Sequence, residues 1–153
     1  MIGLVLAYAK PKIEELQDKA IIEQSIGMME DINAVILSII QGGAGNTRLI
    51  ELGIKKGFLK IDGEMNEIIF EIESSDAYSQ PGKDIYYGGI ILHTEKIGEI
   101  NKITLTNSYN EYNLTYQGKD KIKLIGKAST PYKLFISNKG RNNNKTIIDI
   151  DIV

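Results

Sequence analysis

The residues of this chain whose types could support chemistry are few and stand far apart. His93 is the only histidine and there is no cysteine, so the sequence offers no set of ligands with zinc-site spacing. Asp149 and Asp151 are separated by one residue, which in a strand places both carboxylates on one face, opposite Ile148 and Ile150. Such a pair could hold calcium, but a solvated strand face accounts for it without a ligand. We therefore predict no metal site.

Two further segments resemble chemical sites only in composition. The glycines of 42–45 follow a helical pattern and precede Asn46, whereas a phosphate-binding loop follows a strand and ends in Gly-Lys-Ser or Gly-Lys-Thr. The loop that contains Ser74, Ser75, Asp76 and Asp84 could also contribute calcium ligands, but again a solvated loop explains it. No acid, base and nucleophile stand together, so we predict no catalytic residue, no cofactor and no enzyme.

Composition narrows the class of protein. With 153 residues, of which 42% are hydrophobic, the chain supports one ordinary core. A net charge of -2 and a pI near 5.5 give no basic field that would attract a nucleic-acid backbone. We therefore do not expect this protein to bind nucleic acid.

The N-terminal segment is the most informative part of the sequence. Residues 1–9 are uncharged and mostly apolar, but a transmembrane helix needs about 20 such residues, and the segment lacks the basic start of a signal peptide. The apolar run stops at Lys10-Pro11-Lys12. It has the character of the distal half of a membrane or filament-core helix, and we expect about ten to fifteen more apolar residues upstream. The alternative is a short element packed on the chain's own core.

From Ile13 onward the apolar residues follow helical spacing along two neighbouring lines. The first line consists of Ile13, Leu16, Ala20, Ile21, Met28, Ile32, Val35 and Ile39. The second consists of Ile22, Ile26, Met29, Ile36 and Ile40. Together they form a broad apolar face only in the second half of the helix, which favours packing into a β-sheet there. The first half has a thin apolar line and should project or meet a neighbour. The glycines at 42–45 should end the helix.

After Gly45 the apolar period changes from 3.6 to 2, which is typical of strands with one wet face. The predicted strands are Arg48–Ile54, Gly57–Asp62, Glu67–Glu73, Ile85–His93, Lys102–Asn107, Tyr112–Gln117, Lys121–Ile125, Tyr132–Ser137 and Thr146–Val153. Short strands separated by turn residues favour an antiparallel sandwich or barrel. The sequence thus predicts an α+β protein, with a hydrophobic and amphipathic helix at 1–41 and a β-sandwich head at 46–153.

The whole arrangement resembles the archaeal type IV pilin-like proteins. The features that carry the resemblance are the apolar start, the Lys-Pro-Lys junction, an amphipathic helix that ends in Gly-Gly, and a head containing NLTYQG, IKLIG, YKLFISNKG and TIIDIDI. The resemblance implies a lollipop shape: a helix held in the membrane before assembly and packed into a filament core afterwards, with the head outside the cell. It implies a structural subunit of an extracellular filament that serves adhesion or another surface role, with copies of itself or pilin-like proteins as partners.

On this interpretation the helix residues fall into two groups. The predicted filament-core contacts are Ile2, Leu4, Val5, Leu6, Tyr8, Ile13, Leu16 and Ala20. The predicted helix-to-head contacts are Ile21, Met28, Ile32, Val35, Ile36 and Ile39.

The sequence supports two further expectations, one about glycosylation and one about an alternative function. Asn113 and Asn144 begin Asn-X-Thr sequences, which are acceptors for N-glycosylation in exported proteins. The alternative function is a membrane-tethered extracellular β-sandwich that binds glycan or surface-layer protein and uses the helix only as an anchor.

Overall fold

The computed structural model of the protein describes the backbone of residues 2–153 and the side chains of residues 12–153. It begins with one long helix, α1, at Ile2–Gly42. The helix ends at the glycines, as the sequence predicted: Gly43 has a φ of 86°, a conformation that glycine adopts without strain. The Asn46 side chain then donates to the carbonyl oxygens of Gly42 (2.6 Å) and Gly43 (3.1 Å), which caps the last turn.

Residues 47–152 form ten strands. Their bounds are β1 Thr47–Leu52, β2 Phe58–Asp62, β3 Glu67–Ser74, β4 Asp84–Tyr87, β5 Ile90–Ile97, β6 Ile100–Ser108, β7 Asn113–Tyr116, β8 Ile122–Ile125, β9 Tyr132–Asn142 and β10 Lys145–Ile152. They build a four-stranded sheet in the order β1-β9-β10-β7 and a six-stranded sheet in the order β4-β5-β6-β3-β2-β8. A helix followed by two mainly antiparallel sheets confirms the α+β class.

The strand bounds differ from the predicted ones by up to five residues, most in β9, which runs to Asn142 and not Ser137. Two larger features of the sheets also differ from the sequence prediction. The predicted strand Ile85–His93 is a hairpin, in which β4 and β5 turn at Gly88 and Gly89 and Tyr87 pairs with Ile90. Gly88 has a φ of 62°, and a two-residue glycine loop is the usual connection of a tight hairpin. The second difference is that β7 and β10 pair in parallel. Alternation along a strand reports its buried face but not its direction, so this pairing was not predictable.

A single core joins the helix to both sheets. The helix contributes Ile22, Ile32 and Ile36, which are almost fully buried, and the sheets contribute residues such as Phe70 and Ile136. The helix contacts β1 and β9 in one sheet and β3, β5 and β6 in the other. The second half of α1 therefore forms part of the core that holds the sheets together.

The strand directions divide the connections between two ends of the sheets. We call the end near helix residues 14–21 the proximal end; it carries the loops at 53–57, 75–83, 98–99 and 126–131. The opposite, distal end carries the turns at 63–66, 88–89 and 143–144, together with the end of the helix. The helix thus enters at the proximal end and finishes at the distal end.

Candidate assembly surface

The first described turns of α1 expose a line of apolar side chains. Ile13 is 52% exposed and Leu16 is 66% exposed, and Ala20 continues the line as an exposed residue. We call these three residues the outer line. The sequence predicted them as filament contacts, and the protein's own head leaves them uncovered. Large apolar side chains gathered on one exposed face are typical of an interaction site.

The outer line faces away from the head. The head-facing side of the same helix is defined by Ile22, Ile26 and Met29, each of which is at most 6% exposed. At about 100° of rotation per residue, the two sets point in directions about 150° apart. The helix therefore has one apolar side that its own fold covers and another that it does not.

The residues predicted to pack against the head lie in or beside the core. Ile32, Ile36 and Ile39 are fully buried, while Ile21, Met28 and Val35 are half-buried and pack against the core. The other predicted filament contacts lie outside the residues whose side chains are described. These are Ile2, Leu4, Val5, Leu6 and Tyr8.

A polar cluster fixes the helix at the proximal end, and the sequence analysis missed it. Asp18 is only 5% exposed. Its Oδ1 accepts a hydrogen bond from Lys56 Nζ at 2.7 Å, and its Oδ2 accepts from the Ser75 backbone N–H at 3.0 Å and from Ser75 Oγ at 3.1 Å. The sequence did contain a sign of this cluster. Asp18 lies four residues before Ile22, which places its carboxylate on the head-facing side of the helix among apolar residues. One carboxylate thereby ties the helix to two loops of the head.

The charge of Asp18 is stabilised by these partners. Burial raises the pKa of the carboxyl, but the hydrogen bonds from Lys56 and Ser75 and the charge of Lys56 outweigh it, so the pKa lies below its usual value of 3.8. Asp18 is therefore ionised at neutral pH, and its carboxylate can accept all three of these hydrogen bonds.

At the distal end, Asn138 attaches the end of the helix to the head. Its side-chain Nδ2 donates to the carbonyl of Ile39 at 3.0 Å, and its backbone exchanges hydrogen bonds with Gly45 and Asn46 at 2.8 Å each. Between these two contacts and nearer the distal end, the Tyr109 hydroxyl donates to Asn33 Oδ1 at 3.0 Å. Polar contacts at three points along α1 thus hold the helix in one position relative to the sheets. They also fix the direction in which the outer line faces.

A hollow of about 640 Å³ lies beside the helix at the proximal end. Its helix wall is Glu14, Gln17, Asp18 and Ile21, and no residue of the outer line is part of it. Its head wall includes Ile100, Lys55 and Lys127. Ile100 and its strand partner Ile97 stand at the tip of the β5–β6 hairpin and are 49% and 55% exposed. We call this feature the proximal hollow.

The residues considered for chemistry have structural partners instead. His93 Nδ1 lies 2.7 Å from Asp84 Oδ1 across the β4–β5 ladder, in an exposed pair. Asp149 accepts hydrogen bonds from Thr115 Oγ1 (2.6 Å) and from the Gly118 N–H (2.7 Å), so it links the parallel strands β7 and β10. Asp151 accepts from Gln117 Nε2 at 3.0 Å. Among the side chains that the structure describes, no three histidine or acidic groups are gathered to hold a metal ion.

The two glycosylation sequences have different surroundings. Asn144 is exposed in the β9–β10 turn and has a φ of 65°. Asn113 is half-buried at the start of β7, and the hydroxyl of Thr115, the third residue of its sequence, is engaged with Asp149. Only Asn144 presents its side chain and its sequence on an open turn.

No protein-family model, no curated protein and no solved structure matches this chain. Within the part of the chain that the structure describes, no helix combines the length and the apolar character needed to cross a membrane.

Proposed function

We propose that this protein is a structural subunit of an extracellular filament of the archaeal type IV pilus kind, assembled through its N-terminal helix and displaying the head on the cell surface. On this proposal the two sheets act as a β-sandwich head and the start of the helix as the stem of a lollipop, held in the membrane before assembly. The protein performs no catalysis and needs no cofactor. Its partners are copies of itself or similar subunits.

The observation that carries the proposal is the outer line. Ile13 and Leu16 are exposed on the side of the helix turned away from the head, and in the sequence they follow the apolar residues 2–9 after the Lys10-Pro11-Lys12 junction. Full burial of a leucine side chain is worth about 1.5–3 kcal/mol, so copies that cover this line would gain binding energy at every subunit.

The rigid position of the helix also supports the proposal. Asp18 at the proximal end and Asn138 at the distal end fix the helix to the head. In a helical filament every subunit must repeat the same contacts, and a helix held at a constant angle to its head satisfies that requirement. A tether would not need it.

The test is assembly of the full chain with and without a charge on the outer line. We expect Leu16→Glu to prevent filaments in electron micrographs and in sedimentation, because the contact would have to bury a carboxylate. Met65→Glu is the matched control, since Met65 is 61% exposed at the distal β2–β3 turn and should leave assembly unchanged. Filaments of unchanged abundance from Leu16→Glu would refute the proposal.

A second candidate function, a tethered binding module, is favoured by a different surface. The outer face of the six-stranded sheet has a depression of about 430 Å³ whose lining includes Phe58, Ile69, Ile122 and Leu124. Apolar side chains here could receive a surface ligand. A protein of this kind would remain monomeric in sedimentation while it bound glycan or surface-layer protein, so the assembly experiment separates the two functions.

A further inference from the structure

The hairpin of β5 and β6 projects from the proximal end of the six-stranded sheet. On one side β4 pairs with β5 only as far as His93, and on the other side β3 ends opposite Asn101. Ile97 and Ile100 lie beyond both neighbouring strands and pair with each other across a two-residue turn. We call residues 97–100 the hairpin tip. Its two isoleucines have no strand beside them and are 55% and 49% exposed.

The hairpin tip lies beside the helix, close to its apolar N-terminal segment. Glu99 lines one surface hollow together with Glu15 and another together with Glu14, so the tip is level with this turn of the helix. Toward the N-terminus the helix next passes the Lys10-Pro11-Lys12 junction and then residues 2–9, which are uncharged and mostly apolar. At 1.5 Å per residue, about 6 Å of helix separates the tip from the middle of the junction.

These lengths match the layers of a phospholipid bilayer. Residues 2–9 form about 12 Å of helix, close to the hydrocarbon depth of one leaflet, which is half of about 30 Å. The headgroup layer adds about 5–8 Å on each side. With residues 2–9 in the hydrocarbon, the junction lies at its boundary, where lysine is common. The hairpin tip then lies in the headgroup layer.

We infer that the hairpin tip enters the surface of a phospholipid bilayer while the stem is held in the membrane, so that Ile97 and Ile100 contact lipid beside the helix. This inference rests on the proposed function and names a second point at which an unassembled subunit contacts the membrane. Apolar side chains at the boundary of headgroups and acyl chains are removed from water, which stabilises binding. Two contacts on one surface also set the orientation of the head.

The charges around the hairpin tip indicate which lipid it fits. The hollows beside the tip are lined by acidic residues such as Glu14 and Glu99 and by lysines such as Lys96 and Lys127. Because both signs are interspersed, an anionic surface would attract some of these groups and repel others. Binding therefore depends on the isoleucines, and we expect a similar affinity for zwitterionic vesicles and for vesicles with a minor anionic fraction.

A tryptophan reporter tests the contact with lipid. The chain contains no tryptophan, so Ile97→Trp in the full chain gives an unambiguous fluorescence signal. Met65→Trp is the matched control, because Met65 is 61% exposed at the distal end. The probe is phosphatidylcholine vesicles whose acyl chains carry bromine near the headgroup end. We expect a blue shift and severalfold quenching at position 97, with no change at position 65.

Two results of this experiment would contradict the inference. The first is vesicle-bound protein in which position 97 is quenched no more than position 65. The second is a blue shift at position 97 that appears without lipid and grows with protein concentration, since a second copy of the chain would then cover the tip.

A charged tip provides a second test that does not depend on the tryptophan. We expect Ile97→Glu with Ile100→Glu to weaken binding to phosphatidylcholine vesicles about tenfold in a flotation assay, whereas Met65→Glu should bind as the original chain does. Circular dichroism checks that all variants are folded. Equal binding by the double variant and the original chain would show that the tip does not touch lipid.

The inference and the proposed function can fail separately. An original chain that forms filaments but binds no vesicles refutes the membrane contact and leaves the filament proposal in place. A chain whose tip is quenched by brominated lipid, but which forms no filament, supports the membrane contact and refutes the proposed function.

Discussion

Replacement of Asp18 by asparagine should loosen the attachment of the helix to the head. The carboxylate accepts three hydrogen bonds, one from Lys56 at 2.7 Å and two from Ser75 at 3.0 and 3.1 Å. Asparagine retains one acceptor oxygen and turns an NH₂ group toward the remaining donors. The group is buried, so the loss includes a polar group without its partner, which costs about 1–3 kcal/mol.

The Lys56 part of this loss must be discounted, because the lysine side chain is 44% exposed and exposed ion pairs contribute at most about 1 kcal/mol. We therefore expect the free energy of unfolding of Asp18→Asn to fall by about 2 kcal/mol at pH 7. In a protein of this size the midpoint temperature should drop by about 4–8 °C. Urea denaturation followed by circular dichroism measures the first quantity, and calorimetry measures the second.

The loss of stability in Asp18→Asn should depend on pH in a characteristic way. The pKa of Asp18 is lower in the folded protein than its usual value of 3.8, so its contribution is fully present above that value and is lost as the pH falls through the folded pKa. The difference in stability between the original protein and Asp18→Asn should be constant at neutral pH and shrink on acidification below about pH 4. Glu14→Gln, an exposed acid on the same helix, is the control and should change stability by less than about 0.5 kcal/mol. A loss below that size for Asp18→Asn, or one that does not depend on pH, would refute the reasoning.

Three further outcomes are expected. Ile36→Ala should lower the free energy of unfolding by about 2–5 kcal/mol because Ile36 is fully buried, whereas Leu37→Ala on the exposed side should cost much less; equal losses in urea denaturation would contradict the packing described. If the protein from its natural source is glycosylated, mass spectrometry of its peptides should find glycan on Asn144 and not on Asn113, and glycan on Asn113 alone would contradict the exposure argument. In an ultraviolet pH titration Tyr78 should ionise late, since burial and a hydrogen bond with Tyr87 raise its pKa to about 12; the stability this provides is present below pH 10 and is lost as the pH rises. Burial raises the pKa of Tyr109 as well, so replacement of Tyr78 by phenylalanine should reduce the late component without removing it, and an unchanged late component would contradict the assignment.

The sequence predicted the elements well where one physical signal dominated. The 3.6-residue period of α1 and its terminal glycines placed the helix end, because glycine at positive φ stops a helix at little cost. The alternation of Ile68, Phe70 and Ile72 likewise located β3 with the correct buried face. In these segments local preference and burial agree.

The remaining features depend on contacts that are distant in the sequence. The parallel pairing of β7 with β10 is accompanied by the hydrogen bond from Thr115 to Asp149, which joins residues 34 positions apart. The Asp18 cluster similarly needs Lys56 and Ser75 from two loops. No local pattern specifies which loop contacts which helix turn. The sequence therefore shows that Asp18 is an acidic residue on the head-facing side of the helix, but it does not identify the residues that bind its carboxylate.

The assembly surface was predictable in part. The thin apolar line of the first helix half was visible in the sequence, and the structure leaves its described members Ile13, Leu16 and Ala20 exposed. The proximal hollow was not predictable, because Ile100 belongs to a strand and becomes a neighbour of the helix only through the tertiary fold. That copies of the chain cover the outer line stays a prediction.

The most direct test of that central claim is the accessibility of the outer line before and after assembly. The chain has no cysteine, so Leu16→Cys introduces a single thiol whose rate of maleimide labelling can be followed in dispersed protein and in filaments, with Met65→Cys as the control. We expect labelling at position 16 to slow at least about tenfold on assembly, the effect of about 1.4 kcal/mol of protection, while position 65 is unaffected. Equal labelling rates at position 16 in dispersed and assembled protein would contradict the account.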